Sequence, residues 1–147
     1  MPHLRTASFV AALAATALAP AVSAAPGKAT GVHLMASLTG SAEVPGPGDA
    51  DGTGTFTGRL NVGQGQLCYT LTSANLATLT MAHIHAGKAG VAGSPVVTLK
   101  ANAPSETCMA VDKATAQKLV ASPGDFYVNI HTSDKPGGAV RGQLMKH

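Results

Sequence analysis

Three histidines have the type and spacing to do chemistry. His83 and His85 stand at i and i+2 in the run Met81-Ala82-His83-Ile84-His85. On a strand that spacing puts both rings on one face, with Cβ atoms about 7 Å apart. Two imidazoles can reach one metal ion across that gap. His131, in Phe126-Tyr127-Val128-Asn129-Ile130-His131-Thr132, also lies opposite an apolar row. It would add a third nitrogen if its strand neighbours the first. Imidazole suits zinc, copper, iron and nickel alike, so ligand type leaves the metal open. His33 is a further candidate ligand. The bland alternative for each ring taken alone is a solvated or hydrogen-bonded side chain on a polar strand face. The i, i+2 pair departs from it by meeting the geometry a metal needs. Arg141, beside Gln143 in the last strand, would not bind a metal but would attract and orient a small anion next to one. Its alternative is an ordinary surface arginine, solvated or paired with Asp134.

Other chemistries lack their residues. Serine and threonine are plentiful, but no G-x-S-x-G elbow occurs. The glycine-rich stretch from Ala86 to Ser94 has no following G-K-S/T and opens no helix, so it is not a phosphate cradle. The seven acidic residues form no evident hydrolytic pair. Cys68 and Cys108 are the two cysteines. In an oxidising compartment they most simply form a disulfide, worth about 4 kcal/mol for a loop of this length in the chain-entropy picture. The other use, as metal ligands, lacks the short spacing of thiolate sites.

The elements that must position these residues read as strands. Glycine and proline punctuate short runs of alternating apolar and polar residues, the pattern of an antiparallel all-β domain. Strands are expected over Val32–Leu38, Gly54–Val62, Gln66–Thr72, Leu76–His85, Pro95–Leu99, Phe126–Thr132 and Ala139–Leu144, with a brief pairing segment at Cys108–Val111. The breaker-rich Glu43–Asp49 is expected to be a loop. Asp112–Ala121 is the one helical candidate: Asp112 is a good N-cap, and Pro123-Gly124 ends the run.

The chain opens with one basic residue, Arg5, then the apolar Ser8–Val22 and the small Ser23-Ala24-Ala25. That order predicts a cleaved signal peptide over 1–24, leaving one domain at 25–147 that is exported to the periplasm or secreted. The apolar run is short of the roughly 20 residues of a membrane span. Without Arg5 the mature chain carries nine basic against seven acidic residues, scattered singly. That excludes the clustered footprint of a nucleic-acid binder and a polybasic membrane patch. The three phenylalanines, two tyrosines and absence of tryptophan leave a core of Val, Leu, Ile, Met and Ala.

Two blocks then resemble a known family. His83-Ile84-His85-Ala86-Gly87 followed by Gly90, Gly93 and Pro95-Val96-Val97 is similar to the central motif of CHRD domains. So is Tyr127-Val128-Asn129-Ile130-His131-Thr132 with Pro136-Gly137-Gly138 and Arg141-Gly142-Gln143-Leu144. Leu38-Thr39-Gly40 with Glu43-Val44-Pro45 fits the family's first strand. The family takes its name from chordin, a secreted animal protein that binds growth factors; bacterial members are mostly single exported domains. Its layout is similar to copper/zinc superoxide dismutases. The resemblance implies an all-β, antiparallel Greek-key β-sandwich or barrel, superoxide-dismutase-like or immunoglobulin-like, with one short helix. It implies His83, His85 and His131 as ligands of one copper ion per chain, and Arg141 as the catalytic residue guiding superoxide. No histidine-rich zinc loop lies between His85 and His131, so the implied site is copper-only. His33, Met81, His147 or water could be its fourth ligand. The functions in view are thus a copper-dependent superoxide dismutase, a non-enzymatic copper carrier or store, and a structural or binding module without metal.

Overall fold

The computed structural model describes residues 30–147. The expected signal segment 1–24 lies outside them. Nine strands form one sheet: β1 (Val32–Thr39), β2 (Thr53–Asn61), β3 (Gln66–Ala74), β4 (Leu79–Ala86), β5 (Pro95–Leu99), β6 (Ala103–Ala110), β7 (Phe126–Thr132), β8 (Val140–Gln143) and β9 (Met145–Lys146). The helix α1 (Lys113–Ala121) precedes β7. All pairings are antiparallel, in the order β5-β4-β7-β8-β1-β2-β3-β6, with β9 also on β1. The late strand β8 returns beside the first strand, as in Greek-key arrangements.

Alternation decides which face meets the core. Leu34, Ala36 and Leu38 of β1, Phe56 and Leu60 of β2, and Leu67, Tyr69 and Leu71 of β3 are buried on one side. Ala82 and Ile84 of β4, Val128 and Ile130 of β7, and Val140 of β8 are fully buried in the same cluster. The sheet therefore curls until its two halves, β5-β4-β7-β8 and β1-β2-β3-β6, face each other across one aliphatic core. The halves join where Thr39 of β1 stands opposite Arg141 of β8. Gly142 is fixed by close approach there, since a Cβ on it would lie 2.2 Å from the Ser37 carbonyl oxygen.

The helix caps as its sequence predicts: Asp112 accepts a hydrogen bond from the Thr115 amide at 2.9 Å, and Ala116 and Leu119 turn into the core. Cys68 and Cys108 stand directly opposite each other on β3 and β6 and are disulfide-bonded, which settles the use of both sulfurs.

Most strand ends lie within two residues of the pattern in the sequence, and three differences are larger or change the topology. β4 starts at Leu79 rather than Leu76; the left-handed φ of 55° at Asn75 ends β3, and the turn it opens takes in the residues up to Thr78. β6 begins at Ala103, well before Cys108. Its Pro104-Ser105-Glu106-Thr107 lacks strand alternation, but β6 is an edge strand, where proline and polar residues on both faces are tolerated. The last expected strand is split, with β8 ending at Gln143 and β9 turning onto β1 beyond Leu144.

Candidate metal centre

His83 and His85 project from the outer face of β4, because Ala82 and Ile84 between and beside them are fully buried in the core. β7 lies next to β4 with Met81 opposite His131, His83 opposite Asn129 and His85 opposite Tyr127. On its other side β7 meets β8, with Asn129 opposite Arg141 and Tyr127 opposite Gln143. Alternation on three adjacent strands thus gathers histidine, tyrosine, asparagine and arginine side chains on one outer surface.

Each of His83, His85 and His131 presents one ring nitrogen, and these three atoms lie within 4.8 Å of one another. Nδ1 of His83 is 3.2 Å from Nε2 of His131. Nδ1 of His85 and Nδ1 of His131 are each engaged by a carbonyl. His85 Nδ1–H donates to the Gly93 carbonyl at 2.9 Å, and His131 Nδ1–H donates to the Pro136 carbonyl at 2.9 Å. Those bonds leave Nε2 of both rings as lone-pair donors turned toward the cluster. Nε2 of His85 is buried without a hydrogen-bond partner. Leaving a buried polar atom unpaired costs about 1–3 kcal/mol, so the site calls for a partner there. A metal ligand oriented through its second nitrogen by a carbonyl has this pattern. The residues present therefore fit a metal ion bound by three imidazoles.

Electrostatics favour neutral rings. Burial holds the proton affinity of His83 below the ordinary imidazole range, and the neighbouring His131 and His85 lower it further. Burial is also the main cause for His85; its Gly93 bond pulls the other way, and His131 and Arg141 push down. A depressed imidazole keeps its lone pair available to a metal as the medium is acidified.

The surface behind the rings is held by contacts that strand alternation alone does not reveal. The Tyr127 ring stacks on His85 at 4.8 Å between centroids and 8° between planes. Its hydroxyl accepts from the Gly93 amide at 3.2 Å and lies 3.4 Å from the Gly93 carbonyl. Gly93 packs so closely that a Cβ on it would lie 1.5 Å from the Ala86 carbonyl oxygen. Asn129 donates through Nδ2 to Oε1 of Glu43. Glu43 reaches this surface from the breaker-rich loop, which is tied down by the Asp49 amide donating to the Ala139 carbonyl at 2.7 Å. Burial pushes the Glu43 carboxyl up to about 7, although Arg141 and the Val44 amide pull it down. Gly138 makes room for this contact: its φ is +140°, and a Cβ would fall 2.7 Å from Asn129 Nδ2 and from Glu43 Oε2.

Arg141 lies under this layer rather than on the surface. It is 2 % exposed, its Cζ rests 3.4 Å from the Tyr127 ring centre, and Nη2 donates to the Lys88 carbonyl at 2.9 Å. Its Nη1 is buried without a partner. Asp134, the sequence-level partner considered for it, instead accepts from the Thr132 hydroxyl at 2.8 Å. Gln143 donates to the carbonyls of Gly87 and Gly124 at 2.7 and 2.9 Å. The two side chains fasten the loop after β4 across the sheet.

His33 is on β1, in the other half, opposite Arg59. It lines a surface groove with Arg59, Glu106 and His147, and the His147 amide donates to its carbonyl at 3.2 Å. The fold does not bring His33 or His147 to the three-histidine cluster. The sulfurs of Cys68 and Cys108 also lie near Glu106, but as a disulfide they are not thiolate ligands.

An all-β domain with a histidine triad on the outer face of two neighbouring strands is the class of protein this geometry defines. The sequence model of the CHRD domain matches residues 34–144, and the chain belongs to the CHRD domain family. No curated protein and no solved structure matches it significantly. Among the described residues no helix is long and apolar enough to cross a membrane.

Proposed function

We propose that this is an exported copper-binding CHRD protein, periplasmic or secreted, whose three-histidine centre dismutates superoxide. The observation that carries the reading is the convergence of three imidazole nitrogens within 4.8 Å, two of the rings being oriented by carbonyls through their other nitrogen. His83, His85 and His131 would hold the ion. Copper, when bound, supplies one-electron exchange between Cu(II) and Cu(I), which turns two superoxide ions and two protons into dioxygen and hydrogen peroxide.

The chain's own residues set the conditions for that exchange. Gly93 and Pro136 fix the tautomers of His85 and His131 so that Nε2 faces inward. The Tyr127 ring covers one face of His85 and keeps water from it. Arg141 contributes positive charge from behind that ring; burial is the main cause of the lowered proton affinity of His85, and Arg141 adds the smallest share. In this reading Arg141 attracts the anion through the field and not through a surface contact.

The burial of His131 and of Nε2 of His85 favours a second reading, a copper carrier or store, because a closed site limits access to substrate. One set of measurements separates the two. Mature protein is reconstituted with copper, dialysed and assayed for metal content, then for dismutation as wild type and as His83→Ala. One copper per chain with activity that falls in the variant supports the enzyme. Copper without turnover supports the carrier. Wild type that retains no copper sinks both.

A further inference from the structure

We infer that Met81 is a fourth ligand, a thioether that the centre offers to the reduced ion Cu(I), so that the site is selective for copper in its lower oxidation state. The inference rests on the copper reading of the three-histidine cluster and deepens it.

Met81 shares the outer face of β4 with His83 and His85, since Ala82 and Ile84 take the core face. In register it stands directly opposite His131. Two of the three histidines, His131 and His83, are therefore its neighbours on that face, with Cβ separations of about 5 Å across the strands and about 7 Å along β4. A methionine has three rotatable bonds and spans such a gap. The strand register shifts between Leu79 and Met81. Such irregularities re-aim side chains and recur beside functional sites.

Exposure supports a role outside the core. Met81 is 48 % exposed, although it stands next to a buried row. The other open methionine among the described residues, Met145, sits on β9 opposite Met35 of β1, in the other half of the sheet. His33 and His147 line a groove of that same half. Glu43 accepts from Asn129. Of the side chains able to complete the ligand set, the fold leaves Met81 at the open edge of the cluster, beside the half-buried His83. Thioether sulfur is a soft donor that favours Cu(I), whereas zinc takes imidazole, thiolate or carboxylate. A histidine triad with one thioether thus discriminates against zinc, which three imidazoles alone cannot do.

The test uses the mature chain as wild type, Met81→Leu and His83→Ala. Cu(I) affinity is measured by competition with a chromogenic Cu(I) chelator, Cu(II) affinity with an amino-acid competitor, and X-ray absorption is recorded on the Cu(I)-loaded wild type. The inference expects a sulfur scatterer in the wild-type Cu(I) spectrum. It also expects Cu(I) affinity to fall by about tenfold or more in Met81→Leu, while Cu(II) affinity changes far less. Met81→Leu keeps the side chain's bulk at a half-exposed position, and the wild-type spectrum does not depend on that variant folding. A Cu(I) spectrum with nitrogen ligands alone, or equal Cu(I) affinity in wild type and Met81→Leu, overturns the inference and leaves the three-histidine site standing. Wild type that binds neither ion, like His83→Ala, overturns the copper reading and this inference with it.

Discussion

Nδ1 of His83 lies 3.2 Å from Nε2 of His131, across 48 residues of chain. The contact exists because β4 and β7 are neighbours in the sheet, although β5, β6 and α1 separate them in sequence. Because His131 Nδ1–H is given to the Pro136 carbonyl, His131 Nε2 is the acceptor of this pair and His83 Nδ1–H the donor. A bound ion would occupy the same gap.

His131→Ala removes the nitrogen that joins the two strands at the site. Copper retained after dialysis is expected to fall from about one per chain to a small fraction, with affinity down by at least about 100-fold. The cost to stability is expected to be modest, about 1 kcal/mol for the lost bond to Pro136. Metal analysis alongside thermal unfolding checks both. Copper content equal to wild type would remove His131 from the ligand set.

Tyr127→Phe isolates the hydroxyl, since the ring that stacks on His85 and covers Arg141 is kept. The lost bonds to Gly93 are expected to cost about 1 kcal/mol. Copper affinity is expected to drop by about tenfold, because Gly93 is the residue that orients His85. Chemical denaturation and a copper competition titration read the two effects separately. If affinity holds while stability drops, the hydroxyl anchors the loop without positioning the histidine.

Gly93→Ala should be far more damaging than Gly124→Ala. A Cβ at residue 93 would lie 1.5 Å from the Ala86 carbonyl oxygen, whereas one at residue 124 meets nothing within 4 Å. The first is expected to cost more than about 2 kcal/mol and to loosen the His85 carbonyl contact; the second should stay within about 0.5 kcal/mol. Equal melting temperatures for the two variants would contradict the close packing of the loop on β4.

Glu43 makes stability depend on pH. Its carboxyl holds a proton up to about 7 when folded, against 4.5 in the open chain. Below 4.5 both states are protonated and the group contributes nothing. Between these values the folded state binds the extra proton, so stability declines as pH rises, and the loss is complete above about 7. The full effect is of the order of 3 kcal/mol. Glu43→Gln keeps an acceptor for Asn129 and removes the ionisation. It should unfold less readily than wild type at pH 8 and match it at pH 4, which paired denaturation curves would read directly. Identical pH profiles would show that the carboxyl is not desolvated in the fold.

Much of this was legible along the chain. Phe126–Thr132 alternates cleanly, and β7 has those bounds; Pro95–Leu99 likewise became β5. Asp112 announced the helix by its capping chemistry. The i, i+2 spacing of His83 and His85 gave two rings on one face, which any strand geometry enforces. β6 was mostly hidden, because an edge strand with one proline and several polar residues need not alternate. Glu43 was hidden for another reason: a loop between prolines carries no periodicity, so nothing local says where its carboxylate will land. Tyr127 and Asn129 were visible as face-mates of His131, but their partners were not. The face expected to be solvated is covered by loops, and all seven residues of β7 are buried.

The sequence by itself determined most of the strands, the capped helix, the aliphatic core and the side of each strand on which the histidines stand. These follow from interactions a few residues long, set by backbone geometry and the removal of apolar side chains from water. Only the tertiary structure decided that β4 and β7 are adjacent, that His33 and His147 belong to the other half, and that Arg141 lies beneath a tyrosine and not at the surface. Strand neighbourhood depends on how the whole sheet curls to bury its inner face, and no spacing along the chain encodes it locally.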